Sequence, residues 1–75
     1  MEHYKNLGGN SGVKAYEIGD DSITVQFKDG AIYLYTNGSA GSSAIEKMKA
    51  LAVSGSGLNS FISSTVKKGY ARKIR

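Results

Sequence analysis

Two alternating runs that flank an Asp-Gly pair constrain this chain more than any other feature. Residues 23–27 and residues 31–35 each alternate in type, as a strand with one buried face does. Asp29-Gly30 lies between them, and Asp-Gly favours a two-residue type I′ turn because both central residues need a positive φ. The sequence therefore predicts a β-hairpin with Asp29-Gly30 at its tip.

A turn at Asp29-Gly30 fixes the predicted register of this hairpin. It pairs the apolar residues Phe27 with Ile32 and Val25 with Leu34. We expect these pairs to share the face that packs on the core, because side chains alternate between the two faces of a sheet. Tyr33 and Tyr35 then lie on the opposite face. The predicted sheet therefore has an apolar core face and a separate tyrosine face.

Another hairpin is predicted immediately upstream. Residues 13–18 carry branched and aromatic side chains, which favour a strand. With Asp20-Asp21 at the turn, two pairs fall on the core face, Ile18 with Ile23 and Tyr16 with Val25. Lys14 would then oppose Phe27 on that face, a misfit that bending at the strand end would relieve.

The first twelve residues are predicted to form a flexible leader. Residues 7–12 are rich in glycine and polar side chains, which disfavours regular structure. We expect order to begin near Val13, so that one folded domain spans residues 13–75.

Two helices are predicted after the strands. Ser43 and Glu46 have the spacing of a capping box, so the first helix covers about residues 44–53. Its predicted buried stripe consists of Ile45, Met48, Leu51 and Ala52, and its predicted water-facing residues are Glu46, Lys47 and Lys49. Glycines at 55 and 57 end the pattern, since each costs about 1 kcal/mol relative to alanine in a helix. A second helix is predicted over about residues 58–68, with Gly69 as the residue that follows its end.

These elements predict an α+β domain, a three-stranded antiparallel meander followed by two helices packed on one sheet face. The tail, residues 70–75, alternates faintly, so it is either a short edge strand or a disordered basic end. A chain of 75 residues has the length of one small domain.

Composition excludes several classes of protein. The chain has no cysteine and one histidine, whereas a structural zinc site needs about four nitrogen or sulfur ligands, and we expect no cofactor. No segment approaches the roughly 18 consecutive apolar residues of a membrane span, and the first residues lack the apolar core of a signal peptide. We therefore expect a soluble, cytoplasmic protein with no membrane partner.

The charge is concentrated near the C-terminus. The net charge is +4, and half of the basic residues lie between residues 67 and 75. Lys67, Lys68, Arg72 and Lys73 would make phosphate contacts that are sensitive to salt and independent of sequence. The alternative is that they complement the negative end of the second helix and keep the tail solvated.

The Tyr33/Tyr35 pair on a predicted sheet face is typical of a platform on which single-stranded bases stack. Two alternatives stay open. Tyrosines also stabilise their cross-strand neighbours, and this face is equally suited to being covered by a partner subunit or by the leader.

Several motifs of the chain, in order, resemble the KTSC domain, a short module found at the C-terminus of some lysyl-tRNA synthetases and alone as a small bacterial protein. Tyr33-Leu34-Tyr35 matches the central Tyr-x-Tyr of that family, and residues 25–30 match the Val-x-Phe-x-x-Gly before it. Residues 52–59, with Asn59 at their end, match a later stretch of small residues. The resemblance covers residues 13–66 and implies an α+β module for which RNA binding has been suggested.

The sequence therefore predicts a small, non-enzymatic module that binds RNA or another single-stranded nucleic acid. Tyr33 and Tyr35 would stack on bases, and the four basic residues near the C-terminus would contact phosphates. The alternative is a protein-interaction or self-association module that uses the same tyrosines, with a protein partner or a homodimer as the complex. Ser54 to Gly57 is interpreted as a turn, although its amides also suit a phosphate. No nucleophile, base and orienting group can be assembled into an active site.

Overall fold

The computed structural model describes residues 1–9 and 11–75, and within them five antiparallel strands form one meander. In sheet order these are β1 (Glu2–His3), β2 (Val13–Ile18), β3 (Ser22–Phe27), β4 (Ile32–Thr36) and β5 (Arg72–Lys73). Asn10, which falls in the predicted leader, lies outside the described residues. The helical segments between β4 and β5 are α1 (Asn37–Ala40), α2 (Ser42–Ser54), α3 (Leu58–Phe61) and a π-helix (Ile62–Val66). The predicted α+β architecture is confirmed, and the basic tail supplies the short edge strand β5.

The core lies between the sheet and the helices that pack against it. Ile23 and Val25 of β3 are completely buried, as are Ile45 and Met48 of α2. Burying such side chains contributes roughly 1.5–3 kcal/mol each and holds the helices on the sheet. In the described part of the chain, no helix combines the length and the apolar character that crossing a bilayer requires.

The hairpin between β3 and β4 has a register one residue away from the predicted one. Val25 pairs with Tyr33 and Ile23 with Tyr35. A one-residue shift moves every side chain of a strand to the other face. Tyr33 and Tyr35 therefore lie on the core face, and the predicted tyrosine face is wrong.

The physical reason is the length of the loop. The Phe27 amide donates to the Ala31 carbonyl over 2.8 Å, and the Gly30 amide donates to the Phe27 carbonyl over 3.0 Å. The loop thus has three residues, with Gly30 at φ +95. A two-residue type I′ turn would also need a positive φ at Asp29, and among the described non-glycine residues only Asn6 and Lys67 have one.

The upstream hairpin has the predicted register. Ile18 pairs with Ile23 and Tyr16 with Val25. A bulge between Val13 and Ala15 removes the predicted misfit, because Val13 instead of Lys14 faces Phe27. Ile18, however, is 43% exposed rather than buried in the core.

The folded body begins earlier than the predicted boundary at Val13. Glu2 and His3 pair with Tyr16 and Ala15 at the edge of the sheet. Tyr4 is only 1% exposed, and its hydroxyl accepts a hydrogen bond from the Leu58 amide. Residues 2–4 therefore belong to the sheet and the core, which corrects the predicted leader.

The helix boundaries also differ in two places. The predicted capping box at Ser43 and Glu46 is wrong, since Gly41 is the cap of α2 and α2 begins at Ser42. A capping box exists one helix earlier, where the Ser39 amide donates to the Thr36 hydroxyl over 3.1 Å and the Thr36 amide donates to the Ser39 hydroxyl over 2.9 Å. The predicted buried stripe of α2 is confirmed for Ile45, Met48 and Ala52, with Leu51 half-buried.

Lys49, predicted to face water, instead folds back toward the first turn of the sheet. Its ammonium donates to the Asp20 carbonyl over 2.8 Å and lies 3.4 Å from Glu46. The contact ties α2 to the hairpin between β2 and β3.

Candidate functional site

An open groove, here called the aromatic groove, lies at the end of the sheet where β5 returns from the helices. Its volume is about 320 Å³. The sheet contributes Phe27, Tyr33 and Tyr35, and the segment after the π-helix contributes Lys67, Lys68 and Tyr70. Four of the six residues predicted as a nucleic-acid site therefore line one groove.

The four aromatic rings of the groove form a single cluster centred on Tyr33. Its ring centroid is 4.7 Å from that of Tyr70, 5.8 Å from that of Phe27 and 6.4 Å from that of Tyr35. Tyr35 and Tyr70 meet edge to face at 6.3 Å. These separations are those of attractive aromatic pairs, so the cluster holds the groove in shape.

Tyr35 forms the floor of the groove. The residue is 2% exposed. The pKa of Tyr35 is raised to about 12, mainly because the phenol is buried and to a smaller extent because the Tyr33 and Tyr70 hydroxyls are close to it. A phenol with this pKa stays neutral at physiological pH and can donate a hydrogen bond. We therefore assign Tyr35 to the floor of the groove rather than to a stacking surface, while Tyr33 and Tyr70 are only half-buried.

Three of the predicted cations lie around the rings. Lys67 and Lys68 are exposed on the groove wall. Lys73 pairs with Tyr33 across β4 and β5, and its ammonium lies 5.8 Å from the centre of the Tyr33 ring. The described residues that line the groove include no carboxylate, so its charge is positive.

Arg72 does not join the other predicted cations. It pairs with Leu34, the neighbour of Tyr33 in β4. Because consecutive strand residues point to opposite faces, Arg72 lies on the face of the sheet away from the helices.

Lys67 has an unusual backbone conformation for a residue with a side chain. Its φ is +51 and its ψ is −114, which are the angles of the first central residue of a type II′ turn, a position dominated by glycine. The Gly69 amide closes this turn by donating to the Val66 carbonyl over 2.9 Å. The helical segment ends at Val66, so Lys67 rather than Gly69 is the residue that follows it, and a lysine is held at the strained position beside the groove.

The loop from Ser54 to Gly57 borders a separate, smaller hollow of about 180 Å³ near Tyr4. Gly55 and Gly57 have φ values of +81 and +85, as turn residues do. The Leu58 amide at the start of α3 already donates to the Tyr4 hydroxyl. These contacts account for the loop as a turn.

Two aromatic residues of the groove, Phe27 and Tyr70, are not among the residues predicted as a site from the sequence. Phe27 lies on the core face as predicted, and the observed register of β4 brings Tyr33 instead of Ile32 to its ring. Tyr70 is a single aromatic in a basic tail, and only the return of β5 to β4 brings it to the cluster. Asn59, which ends the stretch that resembles the KTSC domain, also lines the groove.

In residues 1–9 and 11–75, no three His, Cys, Asp or Glu side chains lie close enough together to hold a metal ion. Comparison with known proteins found no matching family model, curated protein or solved structure, so the resemblance to the KTSC domain stays a prediction.

Proposed function

We propose that the aromatic groove binds single-stranded RNA. One observation carries the proposal: residues from β3, β4 and the segment after the π-helix bring aromatic rings and lysines together in one open groove, and Lys73 of β5 lies near its Tyr33 ring. Rings that stack with bases, combined with cations that contact the backbone, are the two components of single-strand binding sites.

Tyr33 and Tyr70 supply the stacking surfaces in this proposal. Both rings are half-buried, so each keeps part of its surface in the groove. The Lys73 ammonium lies 5.8 Å from the Tyr33 centroid, near the limit of about 6 Å for a cation–π contact. An arriving base displaces this weak contact and frees the ammonium for a phosphate. Each base stacked on an aromatic side chain contributes about 1–3 kcal/mol.

Lys67, Lys68 and Lys73 supply the phosphate contacts. Three contacts to a single strand give a slope of about −2 in a plot of log affinity against log salt concentration. The strained backbone at Lys67 supports a role in binding, because such conformations are concentrated at active sites and ligand-binding segments.

The proposed role is binding rather than catalysis. The ionisable side chains of the groove are tyrosines and lysines, and none is joined to a general base and an orienting group as an active site requires. A cytoplasmic location and membership of the KTSC family belong to the same proposal. Self-association through the same groove is the competing function.

The test is the affinity for a fluorescent oligouridylate, measured by anisotropy at low and moderate salt. Tyr70→Leu keeps apolar packing but removes the ring, so affinity should fall by about fivefold or more. Tyr16→Leu is the matched control, since it removes a tyrosine that packs on Tyr4, away from the groove. Equal affinities of Tyr70→Leu and wild type would contradict the proposal. A mass that rises with protein concentration and drops in Tyr70→Leu would favour self-association.

A further inference from the structure

The aromatic groove is the first of three hollows that adjoin one another along the same end of the sheet. The second, of about 350 Å³, shares Phe27 and Tyr33 with the groove. The third, of about 520 Å³, shares Asp29 and Ala31 with the second. The shared residues place the three hollows in a row around the loop of the β3–β4 hairpin, which gives the path that a bound strand would follow.

We infer that this path, here called the basic track, binds an extended strand rather than a single nucleotide. The inference rests on the proposed function and names its ligand more closely. With one nucleotide in each hollow, the strand occupies about three nucleotides, near the lower end of the site sizes of single-strand-binding folds.

Charge supports the length of the track. The cations that line it are Lys67 and Lys68 in the groove, Lys28 in the second hollow, and Lys73 and Arg75 in the third. Asp29 is the one acidic residue among the described residues of these walls. Its carboxylate accepts a hydrogen bond from the Ala31 amide over 2.9 Å, so it serves the loop. A single nucleotide stacked on the rings would not reach the cations beyond them, whereas a longer strand would place its phosphates next to them.

The backbone fixes the far end of the track. The Ile74 amide donates to the Ile32 carbonyl over 2.8 Å, and the Ile32 amide donates to the Arg75 carbonyl over 3.2 Å. These bonds hold the two residues after β5 against β4. The Arg75 amide also donates to the Ile32 carbonyl, over 3.3 Å, so the pairing shifts by one residue after Lys73, as at a β-bulge. Lys73 and Arg75 both line the third hollow. They can therefore contact different phosphates.

The face of Arg72 supplies a matched control. Arg72 lies between the groove and Arg75 in the sequence, yet its pairing with Leu34 puts it on the face of the sheet opposite Tyr33, and it lines none of the three hollows. Arg72→Gln removes the same charge as a substitution on the track without touching the track. Comparing Arg72→Gln with substitutions on the track distinguishes binding along the track from general attraction of RNA to a basic protein.

The test compares uridine monophosphate with oligouridylates of increasing length, up to about six nucleotides. Affinity should rise until the chain reaches about three or four nucleotides and then level off. The double variant Lys28→Gln with Arg75→Gln should bind the longest oligomer on the order of tenfold more weakly. The same variant should bind uridine monophosphate as the wild type does, and Arg72→Gln should change neither affinity.

Three results would overturn the inference. If the double variant binds the longest oligomer as tightly as wild type while Tyr70→Leu weakens it, the track is wrong and the groove stands. If Arg72→Gln weakens binding as much per removed charge as the double variant does, only net charge is at work. If no length of oligouridylate binds, the proposed function fails and the track fails with it.

Discussion

Val25 faces Tyr33 across β3 and β4, where a hairpin loop one residue shorter would have paired Val25 with Leu34. This single pairing decides which side of the sheet carries the tyrosines. It puts Tyr33 on the core face of the sheet and against Tyr70, at 4.7 Å between ring centroids. The site is therefore a consequence of loop length.

The three-residue loop between β3 and β4 should make substitution of Gly30 destabilising. Gly30 has φ +95, and a Cβ there would meet nothing within 4 Å. Gly30→Ala should lower the free energy of unfolding by about 1–2 kcal/mol through backbone strain alone. Gly38→Ala, in α1 and without a positive φ, is the control and should be neutral or slightly stabilising. Denaturant unfolding measures both, and an unchanged midpoint for Gly30→Ala would mean that the three-residue loop is absent.

Tyr4 should stabilise the fold although it lies in the predicted leader. Tyr4→Phe removes the acceptor of the Leu58 amide and should cost about 1–2 kcal/mol. Tyr4→Ala also empties a buried site and should cost about 3–5 kcal/mol. His3→Ala, at an exposed position, should change the unfolding midpoint little. If Tyr4→Ala is as stable as the wild type, Tyr4 does not contribute to the core and the prediction of a flexible leader is right.

The capping box predicts unequal effects at two similar residues. Thr36→Val removes the hydroxyl that accepts from the Ser39 amide and should cost about 1 kcal/mol. Ser43→Ala should stay within about 0.5 kcal/mol of wild type, because Ser43 is exposed and does not cap α2. Thermal unfolding compares them, and the reverse order would show that the cap lies at Ser43 after all.

Because the Tyr35 phenol is buried, we expect the folded protein to lose stability at high pH. Its pKa is raised from 10.0 to about 12 in the folded protein. Between these pH values the unfolded chain releases the phenol proton and the folded chain keeps it, so the free energy of unfolding falls as pH rises. Below pH 10 the contribution is fully present.

The measurement is chemical unfolding at several pH values, together with the ultraviolet absorbance of ionised tyrosine. Tyr35→Phe should weaken the decline of stability above pH 10 and remove a tyrosine that ionises near pH 12. If the variant keeps both features, Tyr35 is not the buried phenol.

We expect replacement of Lys67 by glycine to change the stability of the fold and the affinity for RNA in opposite directions. Lys67→Gly relieves the positive φ and should raise the free energy of unfolding by about 1 kcal/mol. The same change removes a cation from the groove, so it should weaken RNA binding about threefold. Lys68→Gly is the matched control, because Lys68 has no positive φ and should lose affinity without gaining stability. If Lys67→Gly gains stability but keeps the wild-type affinity, Lys67 does not contact the RNA.

Much of the fold follows from local sequence. The turn at Asp20-Asp21 set the β2–β3 register, and the helical spacing of Ile45, Met48 and Ala52 identified the buried side of α2. The second register did not follow, because Asp-Gly suits both a two-residue and a three-residue loop. Tyrosine did not decide between them, since its apolar ring and polar hydroxyl fit either face of a sheet.

The site could be predicted only in part. A basic tail and a pair of tyrosines were visible in the sequence, but the tail joins the tyrosines through pairing between β4 and β5, which are separated by more than thirty residues. Local patterns do not encode such a contact. Tyr4 was missed for the same reason, since one aromatic beside glycines and polar residues gives no periodic signal.

The most direct test of RNA binding is an NMR titration of the isotope-labelled protein with a short oligouridylate at low and moderate salt. We predict shifts at Tyr33, Lys67, Lys68 and Tyr70 that weaken with salt but persist, because stacking is less sensitive to salt than phosphate contacts are. Shifts spread over all exposed lysines that vanish with salt, or no shifts at all, would contradict it.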